Sequence, residues 1–478
     1  MANTFYWYDY ETTGIDATRD RVVQFAGIRT DVNFKVVAKP DVFYCKLADD
    51  VLPHPEASLV TGITPQLANQ KGLVESEFIT RIHQQFSTPN TCVVGYNSIR
   101  FDDEFTRNLL YRNFFDPYAR EWKSGNSRWD LIDLVRLTHA LRPEGINWPK
   151  RDDDLTSFKL ESLTKANDIS HEAAHDALSD VYATIELARL IKQKQPRLYN
   201  WGFGLRDKKT AIENFDFGKK TALVHVSSKY PASHDCLAII MPLAMHPVNK
   251  NAVLVFDLST DPQTLIELSP EQIHQRMYTP TAELADGESR IALKAVHLNK
   301  SPMLAPLNTL SDQVKAKLEL DLECCERHRQ TILAADLSKK LAEVFSISEF
   351  TAPSDPDHML YSGGFFSYGD AAKMQQIRNC PVDKLAQLDL PFQDPRLADM
   401  LFRYRARNYP STLSEQERAE WQEHRDFFLN TAHTDGRLSL TTYFETLDNL
   451  LDDKTRSDND KQVLNKLLEY GRALAGTL

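Results

Sequence analysis

Hydrophobic positions follow two rhythms along this chain, and the change of rhythm divides it into parts. "TFYWYDY", "RVVQFAGIRT" and "VVAKPDVFYC" are short, rich in aromatic and β-branched residues, and predict strands. "TCVVGYN" is a fourth apolar run, followed at once by "DDEFTRNLLYRNFF", which has helical spacing. From Asp176 onward, Ala177, Val181, Thr184, Ala188 and Ile191 recur at three- and four-residue steps, predicting a helix to about Gln193 that "KQPRLYNW" then breaks. Residues 1–195 therefore read as a mixed α/β domain.

Between 197 and 349 the rhythm shortens. "TALVHVSS", "CLAIIMPLA", "NAVLVFDL" and "IALKAVHLNKSPMLA" predict short strands of a small barrel or sheet, with helical patterns returning from about Ser311. "TAPSDPDH" is a linker candidate. From 352 to 478, "SEQERAEWQEHRDFFLN", "LTTYFETLDNLLDD" and "KQVLNKLLEYGRALAG" are amphipathic with few breakers, which predicts an all-α domain.

Composition narrows the class. Hydrophobic residues make up 42% and charged residues 26% of 478, as in ordinary globular proteins. No apolar run approaches the ~20 residues that span a bilayer, and "MANTFYWYDYETTG" lacks the pattern of a signal peptide. The six cysteines are scattered without a C-x-x-C pair, which fits reduced thiols in a cytoplasmic protein. A net charge of −11 weighs against nucleic acid, because phosphate binding depends on Lys and Arg. Yet Arg100, Arg107, Arg112, Arg120, Lys123, Arg128, Arg136 and Arg142 crowd one short region, and net charge does not report distribution, so a basic channel on an acidic protein stays open.

Asp9 and Glu11 alternate along the first predicted strand, so their side chains leave the same face. Paired carboxylates in an otherwise apolar run repel each other unless a cation lies between them, and oxygen ligands suit Mg²⁺ or Mn²⁺. Asp102 falls at a strand-to-helix junction, where a helix cap is the plainer role; Asp103 is the likelier of the two to cap if its neighbour reaches a metal. Asp180 interrupts the stripe of Ala177, Thr184 and Leu187, and a carboxylate facing a core needs a partner: a shared metal or a salt bridge.

The stretch "HEAAHDALSD" carries two competing motifs. His171, Glu172 and His175 match H-E-x-x-H, a zinc-protease helix, whereas His175 and Asp180 match His-x4-Asp. The zinc reading fails. Leu178 stands where a metzincin needs Gly, Glu186 is too near to be a third ligand, and His171 lies in a turn-like stretch before the helix. His175 is then the functional histidine and His171 a solvent-side residue.

Asp9, Glu11, Asp102, His175 and Asp180, in this order, resemble the DnaQ-like exonucleases of the DEDDh type, built on a ribonuclease H-like fold. More closely, "DYET", "TGITPQ", "GYNSIRFDDEFTRN", "YRNFFDPYA", "NSRWDL", "LRPEGINWP", "AHDALSDVYATI" and "YRARNYP" resemble the bacterial exodeoxyribonuclease I family over essentially the whole chain. The resemblance implies an exonuclease domain, an SH3-like domain and a helical C-terminal domain. It also implies processive 3′→5′ digestion of single-stranded DNA to 5′-mononucleotides, in DNA repair and recombination. Two Mg²⁺ ions would serve, with Mn²⁺ able to substitute. Asp9, Glu11 and Asp180 would be direct ligands, Asp102 a ligand directly or through water, and His175 the general base.

Aromatic residues interleaved with cations suggest the DNA path: Arg107, Tyr118, Trp122, Arg136, Arg142 and Lys159. Trp129 and Trp148 belong to the same stretch, with a place in the core equally open to each. Lys159 stands where the family leads us to expect Arg, so the charge survives without bidentate geometry. The resemblance further implies binding to the C-terminal tail of single-stranded DNA-binding protein, and we expect a monomer. RNA against DNA preference is not written in the motif. An exoribonuclease or proofreading subunit therefore stays open, and an inert nucleic-acid-binding protein less so.

Overall fold

The structure is a computed structural model that describes residues 4–171, 176–347, 353–431 and 436–477. The chain folds into two compact units. One comprises residues 1–128, 171–182 and 352–478; the other comprises 129–170 and 183–351.

The first unit is built on a twisted sheet. Strand β1 (Thr4–Thr12) lies between β2 (Val22–Asp31) and β4 (Thr91–Gly95), with β3 (Asp41–Tyr44) on the outer side of β2. β1 runs antiparallel to β2 and parallel to β4. The third predicted strand is shorter than "VVAKPDVFYC": it begins after Pro40, whose nitrogen cannot donate to a ladder. Helices α1 (Pro55–Thr61), α2 (Pro65–Lys71), α3 (Glu75–Phe86) and α4 (Asp102–Arg112) follow in chain order around β4.

Alternation along β1 sorts its two faces. Tyr6, Tyr8 and Tyr10 pack with Phe25, Phe78, Ile82 and Phe86 into one core. Phe5 and Trp7 take the opposite face, where the Trp7 indole donates to Thr30 Oγ1 at 2.9 Å, and Asp9 and Glu11 continue that face. Pairing of β1 with β4 ends at Trp7 and Val94, so the two acids emerge beyond the ladder, at the carboxyl end of the strand. Open α/β sheets place their ligands there.

The C-terminal segment is helical, as expected, and completes this unit. Helices Leu440–Asp452 and Asp458–Ala475 form a core through Tyr443, Leu447, Leu464 and Leu467, which also takes in Leu52 and Leu59. Arg407, on helix Arg396–Asn408, bonds to Asp50 at 2.8 Å and Asp357 at 2.7 Å.

In the second unit, helix α5 (Leu131–Leu141) opens with Asp130 accepting from the Ile132 backbone N–H. Helix α6 (Leu160–Ala166) follows, and α7 (Ala177–Lys194) contributes its later turns. An antiparallel five-stranded sheet holds β6 (Leu223–Val226), β7 (Leu237–Met245), β8 (Ala252–Asp257), β9 (Leu293–His297) and β10 (Met303–Pro306), in the order β10-β6-β7-β8-β9. β5 (Ser127–Asp130) sits at the division between the units. Trp129 belongs to the core: it is fully buried, with Tyr199 and Phe203 edge-on to its ring at 5.5 and 5.0 Å. Trp148 is half-buried, its indole donating to Pro143 O at 2.9 Å. Among the described residues no helix is long and apolar enough to cross a membrane.

Candidate active site

Asp9 and Glu11 from β1 converge with Asp180 from the first turn of α7; ligand oxygens of the three lie within 4.8 Å of one another. This is the only such cluster among the described residues. Desolvation pushes the Asp9 carboxyl well up from the ordinary range, and repulsion from Asp102 and Asp180 adds to it. Burial, with Asp9, Asp180 and Asp176 nearby, raises Glu11 to about 9. Three carboxylates that cannot comfortably ionise together form a site completed by a cation, and an all-oxygen donor set suits a hard divalent ion.

Asp102 is the first residue of α4, 3% exposed, and its Oδ1 accepts from the Tyr10 backbone N–H at 3.3 Å. It thereby faces β1 between the two acidic positions. Asp103 corrects the expectation of a cap, since the residue before α4 is Phe101 and no side chain caps it. Asp103 instead binds the Tyr8 hydroxyl at 2.9 Å, Arg120 at 2.5 Å and Arg128 at 2.8 Å, all buried. Burial alone would raise its carboxyl, but the two guanidinium groups hold it well below the usual range. Gly95 makes room for this junction, because a Cβ there would come within 2.6 Å of Ser98 Cβ and 3.1 Å of Tyr8 O.

His175 lies outside the described residues. His171 is a second correction. Its side chain is only 4% exposed, not solvent-side, and Nε2 bonds Asp180 Oδ1. A buried imidazole needs a polar partner, and the carboxylate beside it provides one. The zinc-protease alternative also loses its geometry, since His171 precedes α7 rather than lying on it.

The expected DNA-binding residues divide between the units. Arg107, Tyr118 and Trp122 belong to the first; Arg136, Arg142 and Lys159 belong to the second. Arg107 is not placed for the expected phosphate contact. It is 5% exposed, with Nε and Nη2 donating to Glu121 at 2.8 and 3.0 Å and Nη1 to Glu104 at 3.0 Å. Its guanidinium lies 5.3 Å from the Tyr118 ring centre and donates to the Tyr361 hydroxyl at 3.1 Å, so it supports an aromatic surface from beneath. Trp122 is 68% exposed. Arg136 pairs with Asp133 at 2.9 Å, Arg142 donates to Thr309 O at 2.9 Å, and Lys159 is exposed, immediately before α6.

Sequence reasoning missed three exposed aromatic candidates, two of them beside Tyr118. Tyr361, Phe365 and Tyr368 are 59%, 90% and 99% exposed, and the Tyr361 and Phe365 rings lie 6.5 and 6.1 Å from that of Tyr118. The signal was present in "LYSGGFFSYGD", where rings recur in a Gly/Ser-rich stretch with no helical or strand pattern to bury them. Arg396 anchors this stretch, donating to Gly364 O at 3.3 Å and lying over the Phe366 ring at 4.4 Å. A cavity of about 690 Å³ adjoins Glu11 and is lined by Ile15, Arg19, His54, Val60 and Arg437 among others.

Comparison with known proteins agrees with this geometry. The family model described as Exonuclease matches residues 6–188, the Exonuclease I SH3-like domain 206–347, and the Exonuclease I C-terminal domain 354–474. The exodeoxyribonuclease I of Haemophilus influenzae is 44% identical over 477 residues, covering 99% of each chain. The crystal structure of Escherichia coli Exonuclease I in complex with a dA16 oligonucleotide superposes with a TM-score of 0.93 at 43% identity, over 99% of this chain and 100% of that one. A zinc-ion-bound form of the E. coli enzyme with single-stranded DNA gives 0.94 at 42% identity, with the same coverage. An acidic metal site at the end of β1, and family matches that run from end to end in the order exonuclease, SH3-like and C-terminal domain, lead to one assignment: this chain belongs to the exodeoxyribonuclease I family and is a divalent-metal-dependent nuclease.

Proposed function

We propose that the protein digests single-stranded DNA processively from the 3′ end, releasing 5′-mononucleotides in DNA repair and recombination. The convergence of Asp9, Glu11 and Asp180 within 4.8 Å carries this reading. In it these three side chains hold two Mg²⁺ ions, for which Mn²⁺ can substitute, and Asp102 contributes directly or through water. When bound, the ions offset charge on the scissile phosphate and make water a better nucleophile near neutral pH.

The chain's own groups do the rest. His175 takes the proton of the attacking water; an imidazole with a reference pKa near ~6.5 is largely neutral at mildly alkaline pH, as a base must be. The cavity beside Glu11 receives the terminal nucleotide, with Ile15 and Val60 offering apolar contact and Arg19 and Arg437 offering charge. Upstream, Trp122, Tyr118, Tyr361, Phe365 and Tyr368 stack unpaired bases, while Arg136, Arg142 and Lys159 supply cations along the strand. Stacking of this kind requires bases freed from pairing, which favours single strands over duplex.

The reading extends to the surroundings of the enzyme. All six cysteines are free, in keeping with a reducing cytoplasm. We further propose a monomer that binds the acidic C-terminal tail of single-stranded DNA-binding protein, with functional segments at 1–195, 197–349 and 352–478. The direct assay is digestion of end-labelled single-stranded DNA, duplex DNA and RNA, each with Mg²⁺ or EDTA. Mg²⁺-dependent loss of the single strand alone is expected. Equal or faster digestion of RNA would move the assignment to an exoribonuclease.

A further inference from the structure

The bond between His171 and Asp180 has no place in the mechanism above, yet both ends are held in the structure. His171 Nε2 bonds Asp180 Oδ1, with the two side chains 4% and 18% exposed. Asp180 is one of the three clustered carboxylates, and it is the one carried by α7 rather than β1. Asp9 and Glu11 are fixed relative to each other by the strand that bears them. Asp180 stands in the first turn of a helix, so its alignment with the strand pair depends on what holds its carboxylate.

We propose that His171 is a positioning residue: its imidazole holds one Asp180 oxygen and so sets the carboxylate for the cation shared with Asp9 and Glu11. The inference rests on the metal-site reading of those three residues. Its physical basis is general. A ligand carboxylate left to rotate must be ordered when the ion binds, whereas one already bonded to a buried donor is ordered beforehand. Partners of this kind typically change metal affinity or activity by about 10- to 100-fold. A carboxylate has two oxygens with several lone-pair sites, so it can accept from an imidazole and bind a cation together. His171 touches neither the ion nor the substrate in this arrangement and acts only through Asp180.

The test is Mn²⁺ titration of the full-length protein, read as the loss of the free-ion electron paramagnetic resonance signal. Wild type is compared with His171→Ala, His171→Phe, His171→Gln, Asp9→Asn and Asp180→Asn. Phe fills the ring volume without a donor, and Gln keeps a donor. His171→Ala and His171→Phe should weaken Mn²⁺ binding by about 10- to 100-fold, with native circular dichroism and with turnover largely restored at saturating Mn²⁺. His171→Gln should recover part of the affinity. If folded His171→Phe binds Mn²⁺ as wild type does while Asp9→Asn and Asp180→Asn do not, the positioning role is wrong and the metal site stands. The same holds if His171→Gln loses as much as His171→Phe. If Asp9→Asn and Asp180→Asn bind like wild type, the metal-site reading fails and the inference falls with it. Should His171→Ala not fold, the Phe and Gln variants carry the comparison alone.

Discussion

Arg120 and Asp103 meet at 2.5 Å with both side chains sealed from solvent, and this pair fixes the start of the helix that carries Asp102. Arg120 has no other partner for Nε and Nη1 among the described residues, and Arg128 shares the same carboxylate. Asp103→Asn therefore leaves the buried Arg120 guanidinium without its anion, and Arg128 with Glu121 alone. The expected loss is about 3–5 kcal/mol, the range for breaking a buried pair from one side, measured by urea unfolding near neutral pH. The Asp103 carboxyl is held below its ordinary value, so its contribution is present above the unfolded pKa of ~3.9 and is lost as pH falls through the lower folded value. The gap between wild type and variant should shrink in acid. A loss under about 1 kcal/mol at neutral pH would contradict the anchoring role.

The crowded carboxylates predict the opposite pH dependence. Burial and its acidic neighbours raise Glu11 to about 9, so the metal-free native state keeps a proton that the unfolded chain releases at lower pH. Stability of the metal-free protein should fall as pH rises between about 4.5 and 9. Glu11→Gln removes this liability. In EDTA its melting temperature should exceed that of wild type, by a margin that widens from about pH 5 to about pH 9. A constant margin across that window would mean that the acids are not in conflict. Because ion binding must displace the retained proton, Mn²⁺ affinity should also rise with pH.

His175→Ala should lower turnover by about 100-fold or more, the scale for a lost general base, with Mn²⁺ affinity nearly unchanged. His171→Ala has the reverse signature, a loss of affinity recovered at saturating metal. Steady-state assays across Mn²⁺ concentrations separate the two. If His175→Ala shifted only the metal requirement, its role as a base would be wrong.

The aromatic surface and the cations differ in their response to salt. Phe365→Ala, Tyr368→Ala or Trp122→Ala should each weaken single-strand binding by about 1–3 kcal/mol with an unchanged salt slope, since stacking releases no counterions. Arg142→Ala or Lys159→Ala should make the logarithmic slope shallower by about 0.7 for each phosphate that is no longer neutralised. Arg107→Ala should resemble the aromatic group, because Arg107 supports Tyr118 and Tyr361 while its charge is paired with Glu121. Variants that all bind like wild type at every salt concentration would place the strand elsewhere.

What the sequence revealed, and what it hid, follows from the range of the interactions. Asp9 and Glu11 were legible because strand alternation is local and two acids break an aromatic run. Asp180 was legible because it interrupts a helical stripe. The role of Asp103 was not, because Arg120 and Arg128 reach it from a later stretch and only the fold brings them together. His171 was misjudged for a related reason: a polar residue in a turn-like stretch reads as solvated unless its partner is known. Arg107 read as a phosphate contact because Glu104 and Glu121, its neutralising partners, look like ordinary surface acids in one dimension. Tyr361, Phe365 and Tyr368 lie far from Tyr118 in sequence; periodicity carries no information about Tyr361 and Phe365, which belong to no helix or strand, and little about Tyr368, which only opens the helix Tyr368–Asn379.

The proposed activity depends above all on whether the three converging carboxylates make a metal-dependent 3′ exonuclease. The direct measurement is a time course with 5′-labelled single-stranded DNA, using wild type and Asp180→Ala, in Mg²⁺, in EDTA, and in EDTA followed by excess Mg²⁺. For wild type in Mg²⁺, the label should persist in progressively shorter fragments. EDTA should stop the reaction and excess Mg²⁺ restore it, while Asp180→Ala should be inactive under all three conditions yet folded. Early release of the labelled 5′ nucleotide, or digestion by Asp180→Ala at the wild-type rate, would contradict it.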